Sequence, residues 1–232
     1  MKPEQLPLNM RLRDDASFAT CFPGENGIAH FSLQAVSRGE GEQQLLLWGA
    51  QGTGKTHLLQ AACHLAGESG RSALYLPLRE IKVYGVEVLE GAEQIDLTCL
   101  DDIDEIAGDP DWEQALFHFI NRQRLSGGAL VMTATENPRH LPFGLPDLES
   151  RLQWGPVFQL VALNDEDKIQ ALRLRAQRRG LDLPDEVAQY LLRQYPRDLV
   201  YLMDMLEELD LASLSAKRKL TIPFIRSVLT QS

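Results

Sequence analysis

The sequence is poor in the features that mark secreted, membrane or metal-built proteins. It holds three cysteines in 232 residues, Cys21, Cys63 and Cys99, far apart and in no C-x-x-C pair, so neither a disulfide framework nor a cysteine zinc site is expected. No apolar run approaches the ~18 residues of a membrane span, and residues 1–10 lack the basic start and apolar middle of a signal peptide. A cytoplasmic protein is the expectation, with no membrane partner. Five histidines include no H-E-x-x-H spacing, although His57 and His64 lie seven apart. There is no internal repeat and no low-complexity tract, which removes solenoid and disordered-tail readings. Positive charge is scarce in the first part: residues 1–160 carry 12 basic and 22 acidic side chains, residues 161–232 carry 11 of each, and the whole chain has a formal charge of −10. Such a surface repels phosphate backbones, so DNA is not the leading partner on charge. Lys217-Arg218-Lys219 is the one dense basic cluster and reads as a solvated loop.

What is present is 44% hydrophobic and strongly patterned. Short apolar runs at 45–48, 73–76, 95–100, 129–132 and 157–160 alternate with segments of helical period, which predicts a parallel sheet with helices on both faces. The run Leu45-Leu46-Leu47-Trp48 has no polar alternation, as expected of an interior strand covered on both sides. After residue 163 the strands stop. Asn164 caps a helix reaching 179, with Asp165, Glu166 and Asp167 in its first turn and Gly180 closing it; Pro184 opens another to 195. A third runs from Arg197 to about 211, and a last short one follows Pro223. The expected fold class is therefore α/β, a P-loop parallel sheet sandwiched by helices, followed by a small all-α lid. The divisions are 1–12 as a terminal peptide, 13–161 as the α/β domain and 162–232 as the lid.

Two motifs carry chemistry. Gly49-Ala50-Gln51-Gly52-Thr53-Gly54-Lys55-Thr56 fits G-x-x-x-x-G-K-[ST] between an apolar strand and a helix. Its glycines let successive N–H groups curl around a phosphate chain, and the helix dipole adds positive potential. Lys55 would reach the β and γ phosphates, and the Thr56 hydroxyl would ligate Mg²⁺. A phosphate site then needs a carboxylate at the end of a neighbouring strand. Asp101 and Asp102 supply it, Asp101 toward the metal and Asp102 toward an attacking water. Thr133 and Thr135 end a third strand, where a hydroxyl could sense the terminal phosphate; alone, strand-end threonines are ordinary β propensity.

From about Phe18 onward the chain resembles the AAA+ family and, within it, the bacterial replication initiator DnaA. The resemblance rests on the loop at 49–56 followed by His57-Leu58-Leu59, on Asp101-Asp102-Ile103, on 132–138, on Ser150-Arg151-Leu152-Gln153-Trp154-Gly155, and on Arg197. It implies that His57 and Gln51 flank the nucleotide and that Phe18 to Phe22 and Asn26 lie near its base. It also implies that Thr135 acts at the catalytic centre, and that Arg197 contacts phosphate from the lid. Arg151 would face a neighbour's nucleotide as a trans arginine finger. DnaA continues into a helix-turn-helix DNA-binding domain, for which this sequence leaves no room. Gln5-Leu6-Pro7-Leu8-Asn9-Met10 looks instead like the peptide that docks in the DNA polymerase III sliding clamp (its beta subunit), with Leu6, Leu8 and Met10 inserted and Gln5 fixing register.

A DnaA-like module with a clamp peptide is similar to the regulatory inactivators of DnaA. What that implies is a clamp-dependent regulator that binds DnaA and stimulates its ATP hydrolysis, with weak or no ATPase of its own. It would hold ADP or ATP with Mg²⁺, reach DNA mainly through the clamp, and could form a homodimer. The alternative is an autonomous AAA+ ATPase, such as a helicase loader or remodelling factor, since the two phosphate motifs are common to both.

Overall fold

Successive residues of a strand face opposite sides, so an all-apolar strand demands a core on each face. The computed structural model, which describes residues 12–13, 15–216 and 218–229, contains both. Strands β1 (Gln44–Trp48), β2 (Ala73–Pro77), β3 (Leu97–Asp101), β4 (Ala129–Ala134) and β5 (Val157–Gln159) form one parallel sheet in the order β2-β3-β4-β1-β5. On one face Leu45, Leu47, Leu97, Cys99 and Val131 pack against α1 (Gly27–Arg38) and α2 (Lys55–Glu68) through Leu33, Leu58, Leu59 and Cys63. On the other, Leu46, Leu100, Leu130 and Met132 pack against α4 (Pro110–Ser126) and α5 (Pro146–Leu152) through Leu116, Phe119, Ile120, Leu148 and Leu152. All three cysteines are free, and burial pushes the Cys21 thiol up to about 12.

The connection after β2 differs from a simple crossover helix. It runs through the four-residue α3 (Leu78–Ile81) and a series of 3₁₀ turns to Gln94, elements too short to leave a period in the sequence. The expected strand from 95 begins instead at Leu97. Asp96 is drawn into a turn, where its carboxylate accepts from the Ser72 N–H at 2.8 Å and the Ser72 hydroxyl at 2.7 Å.

Helix α4 is capped by Asp109, which accepts from the N–H groups of Asp111 and Trp112, and Gly127 closes it in the left-handed region at φ 80°. Four residues into it, Glu113 is buried to 2% exposure and accepts from the N–H groups of Gly108 (2.7 Å), Gly144 (3.1 Å) and Leu145 (2.8 Å). One carboxylate thus fixes both the entry to α4 and the entry to α5, and with it the helix that carries Arg151.

The lid has its own core, built by Leu172, Val187, Leu191, Leu202, Leu206, Leu209 and Ile225. Its helices are α6 (Asp165–Arg178), α7 (Asp185–Gln194), α8 (Leu199–Ala216) and α9 (Ile222–Leu229). Asn164 caps α6 by accepting from the Asp167 N–H at 2.9 Å. Helix α8 starts at Leu199, which leaves Arg197 just ahead of the helix, and α9 starts one residue before Pro223. Among the described residues, two polar contacts join the lid and its connector to the α/β domain. The Asn26 amide donates to the Val161 carbonyl at 2.9 Å and accepts from the Val161 N–H at 2.8 Å, fixing the connector to the start of α1. Arg175 of α6 grips Asp15 through its carboxylate and, at 3.0 Å, its main-chain oxygen. The peptide containing Gln5, Leu6, Leu8 and Met10 lies outside the described residues.

Gly155 links α5 to β5 where a Cβ would run into the Gln44 main chain. Gly155→Ala is expected to cost about 1–3 kcal/mol of stability, as overpacking does. A lowered urea midpoint with unchanged slope would show it.

Candidate functional site

At the carboxyl end of β1 the chain turns through residues 49–54 into α2. Gly52 and Gly54 sit at φ 82° and 91°, where only glycine is comfortable. Gly49 is required for another reason: a Cβ there would stand 2.6 Å from the Leu160 carbonyl oxygen. Gln51 is exposed on the loop, and the Thr53 hydroxyl donates to the Ala50 carbonyl at 2.9 Å. Lys55 is buried, and its ammonium donates to the carbonyls of Gly49 (2.7 Å) and Ala50 (3.2 Å). Burial lowers its pKa, while the carboxylates of Asp102 and Asp101 work in the opposite direction.

Asp101 ends β3 at 2% exposure and is matched oxygen by oxygen. Its Oδ2 accepts from the Thr56 hydroxyl and the Tyr75 hydroxyl, each at 2.7 Å, and its Oδ1 accepts from the Thr133 hydroxyl. Burial and the adjoining Asp101 charge raise the Tyr75 pKa, so the phenol stays a donor. Thr133 in turn accepts from the Asp102 N–H at 2.9 Å. Asp102 is the one non-glycine residue with positive φ among the described residues, at 56°. Its carboxylate lies 3.6 Å from Arg79, which also donates to Glu105 at 2.9 Å. Burial raises the Asp102 pKa first and the neighbouring Asp101 charge adds to it; Arg79 opposes both.

Magnesium takes hard oxygen donors and keeps several positions for water or phosphate. The Thr56 hydroxyl and Asp101 carboxylate suit it. Among the described residues no group of three or more His, Cys, Asp or Glu side chains could cage a metal, so phosphate and water would have to complete the shell.

Between this loop and the lid lies a cavity of about 140 Å³, walled by Gly52–Gly54, Phe22, His30, His57, Leu163, Arg175 and Met203. His57 thus belongs to the wall, its ring Nε2 3.4 Å from the Ser17 carbonyl. Burial lowers the pKa of His57 and, with help from His57, takes His30 to about 4, so both rings are neutral at pH 7. Asn26 also lines the cavity but spends its amide on Val161; Phe18 packs edge-on against His30.

Two expected residues stand elsewhere. The Thr135 hydroxyl donates to Asp104 at 2.8 Å and its N–H to the same carboxylate at 3.0 Å, so it is Thr133 that meets the strand-end aspartates. Arg197 donates to Asp165 at 2.8 Å and is well exposed, beside Leu192 and Arg193 rather than the phosphate loop. The acidic first turn of α6 captures it. The next residue faces the loop instead, since a Cβ on Gly52 would lie 3.4 Å from the Asp198 carboxylate. Arg175 is the lid arginine that reaches the cavity wall.

Arg151 is at the opposite end of the sheet. Its carbonyl accepts from the Gln44 amide at 2.7 Å, and Gln44 begins β1, four residues before the loop leaves it at Trp48. At a rise of ~3.3 Å per residue the start of β1, where Arg151 is held, lies about 13 Å along the strand from the end that leads into the phosphate loop. The guanidinium is half-buried, 3.8 Å from the Trp154 ring centroid and 5.5 Å from that of Phe117. Its Nε is buried without a partner, and among the described residues Arg151 forms no ion pair.

Tyr75, Glu113, Arg79 and Arg175 were not legible as site residues in the sequence. Each acts across a long separation, and no local motif announces it.

A phosphate-type loop and paired strand-end carboxylates on a β2-β3-β4-β1-β5 sheet, closed by a four-helix lid, define an AAA+ module. The chain belongs to the bacterial DnaA ATPase-domain family, whose model it matches over residues 12–159, and residues 165–229 match the lid domain of Hda. Domain III of the Thermotoga maritima replication initiation protein DnaA shares the fold with a TM-score of 0.78 at 22% identity, over 96% of this chain and 98% of that one. AMPPCP-bound DnaA from Aquifex aeolicus gives 0.73 at 23%, over 89% and 67%. The Thermotoga maritima RuvB branch migration motor gives 0.65 at 18%, over 93% and 72%.

Because Asp102 has a raised pKa in the folded protein, its ionisation opposes folding as pH rises through its unfolded and then its folded value. Asp102→Asn keeps a residue tolerant of positive φ and removes that charge. It is expected to melt higher than the parent at pH 7, with the gain shrinking toward pH 3, as thermal denaturation across that range would show.

Proposed function

We propose that this chain is a nucleotide-bound regulator that promotes ATP hydrolysis by DnaA, supplying Arg151 in trans and thereby restraining replication initiation. The observation that carries the reading is the placement of Arg151. It sits at the amino ends of the strands, out of reach of the loop in its own chain, with no carboxylate among the described residues holding its charge. An arginine so placed can serve a triphosphate only on a neighbour. Its five N–H donors and permanent charge suit the charge that develops on a transferred phosphoryl group.

The chain's own loop, with Gly49, Gln51, Gly52, Thr53, Gly54, Lys55 and Thr56, would hold ADP or ATP with Mg²⁺ at Thr56 and Asp101. The neutral histidine-lined cavity would take the base. Bound nucleotide would set the angle of the lid more than it would be turned over, with Arg197 free to join it if the Asp165 pair opens. Supporting this is the DnaA family itself, one of whose members carries AMPPCP in a structure of the same fold. The reading includes recruitment to the sliding clamp through Gln5, Leu6, Leu8 and Met10, on the strength of their sequence alone. DNA would then be met through the clamp, and a surface that mates with a homologue could also pair two copies of this chain.

Two measurements test it. ADP with Mg²⁺ at about a hundred times its Kd should stabilise the protein by ~2.7 kcal/mol in thermal melting, and Lys55→Ala should abolish the shift. In a purified reaction with DnaA-ATP and clamp loaded on DNA, Arg151→Ala should keep that shift yet lose about 10³-fold or more of the stimulated hydrolysis. Full stimulation by Arg151→Ala removes the trans role. Rapid turnover by this chain alone would favour the autonomous ATPase instead.

A further inference from the structure

We infer that Trp154 is the positioning residue for Arg151, an aromatic platform that fixes the plane of the guanidinium while leaving its charge and its outer N–H groups unspent. The inference rests on the trans role proposed for Arg151. A long arginine side chain has many rotamers, and proteins usually pin it with a carboxylate that takes two of its donors. That solution would neutralise the cation and occupy the edge needed for an incoming phosphate. A ring face holds a guanidinium through its quadrupole and by stacking, and consumes no donor.

The site has that construction. The Arg151 Cζ lies 3.8 Å from the Trp154 centroid, and Phe117 of α4 closes another side at 5.5 Å. The Nε edge is turned inward, buried and unpartnered. The backbone under the platform is itself anchored: the Trp154 main-chain N–H donates to the Arg151 carbonyl at 3.2 Å, the same carbonyl accepts from the Gln44 amide, and Gly155 packs directly on the Gln44 main chain. Arg124, at 4.3 Å from the ring centroid, places a second guanidinium over the same indole. Trp154 remains more than a third exposed, which a ring kept only for core packing would not be.

The test is single-turnover hydrolysis by DnaA-ATP with loaded clamp, titrated with this protein to give a maximal rate and a half-saturating concentration. Trp154→Leu is expected to lower the maximal rate about 3- to 30-fold, the range a cation–π contact commands, and leave half-saturation within about twofold. Trp154→Phe should restore most of the rate. Once Arg151→Ala is present, Trp154→Leu should have no further effect, because both act through one group. A Trp154→Leu protein at the parental maximal rate, while Arg151→Ala is inactive, overturns the platform and leaves the trans arginine standing. So does a change confined to half-saturation, which would mark a docking contact, or an effect that multiplies with that of Arg151→Ala. Full stimulation by Arg151→Ala overturns the underlying role first. Should Trp154→Leu melt below the assay temperature, Trp154→Gln at this part-exposed position gives the same readouts.

Discussion

A carboxylate taken out of water has to be met at each oxygen, and that requirement at Asp101 organises the phosphate end of the molecule. Thr56 comes from α2, Tyr75 from β2 and Thr133 from β4, so three elements converge on one side chain of a fourth. The convergence sets where the loop after β1 stands relative to β3, although β4 separates those two strands. It also holds Asp102, through the Thr133 oxygen, in a backbone conformation that few residues accept.

The sheet then does two jobs at its two ends. At the carboxyl ends of the strands it gathers the glycine loop, the paired aspartates and the cavity beneath the lid. At the amino ends it carries Arg151, fixed through Gln44 and through the Glu113 clamp on the entry to α5. Parallel strands make this separation unavoidable, since every loop at one end is a strand's length from every loop at the other. The glycine loop and Arg151 are therefore built at opposite ends of the sheet.

Much of this was legible in the sequence because the signals are local. Apolar runs of the right length gave the five strands, the Asn164 cap and the acidic turn after it gave the start of α6, and the glycine motif lay where strand meets helix. The difficulties come from interactions that span the chain. Nothing near Arg197 in sequence reveals that Asp165, 32 residues away, holds it outside the cavity. Thr133 and Thr135 look equivalent along the strand, yet only Thr133 faces Asp101, while Asp104 takes the other. The region from 78 to 94 gave no periodic signal because it folds as short turns. Tyr75 and Glu113 carry no local signal of the partners that bury them, Asp101 and the Gly108, Gly144 and Leu145 N–H groups.

The grip of Arg175 on Asp15 closes a circuit through the molecule. The two residues are 160 positions apart, so the chain leaves Asp15, traverses the whole sheet, and returns through α6 to the point it left. Ordering so long a loop carries an entropic cost that grows only slowly with its length. The same pair couples the turn at Asp15 directly to α6. The lid is therefore the returning end of a clasp whose other half is the turn at Asp15.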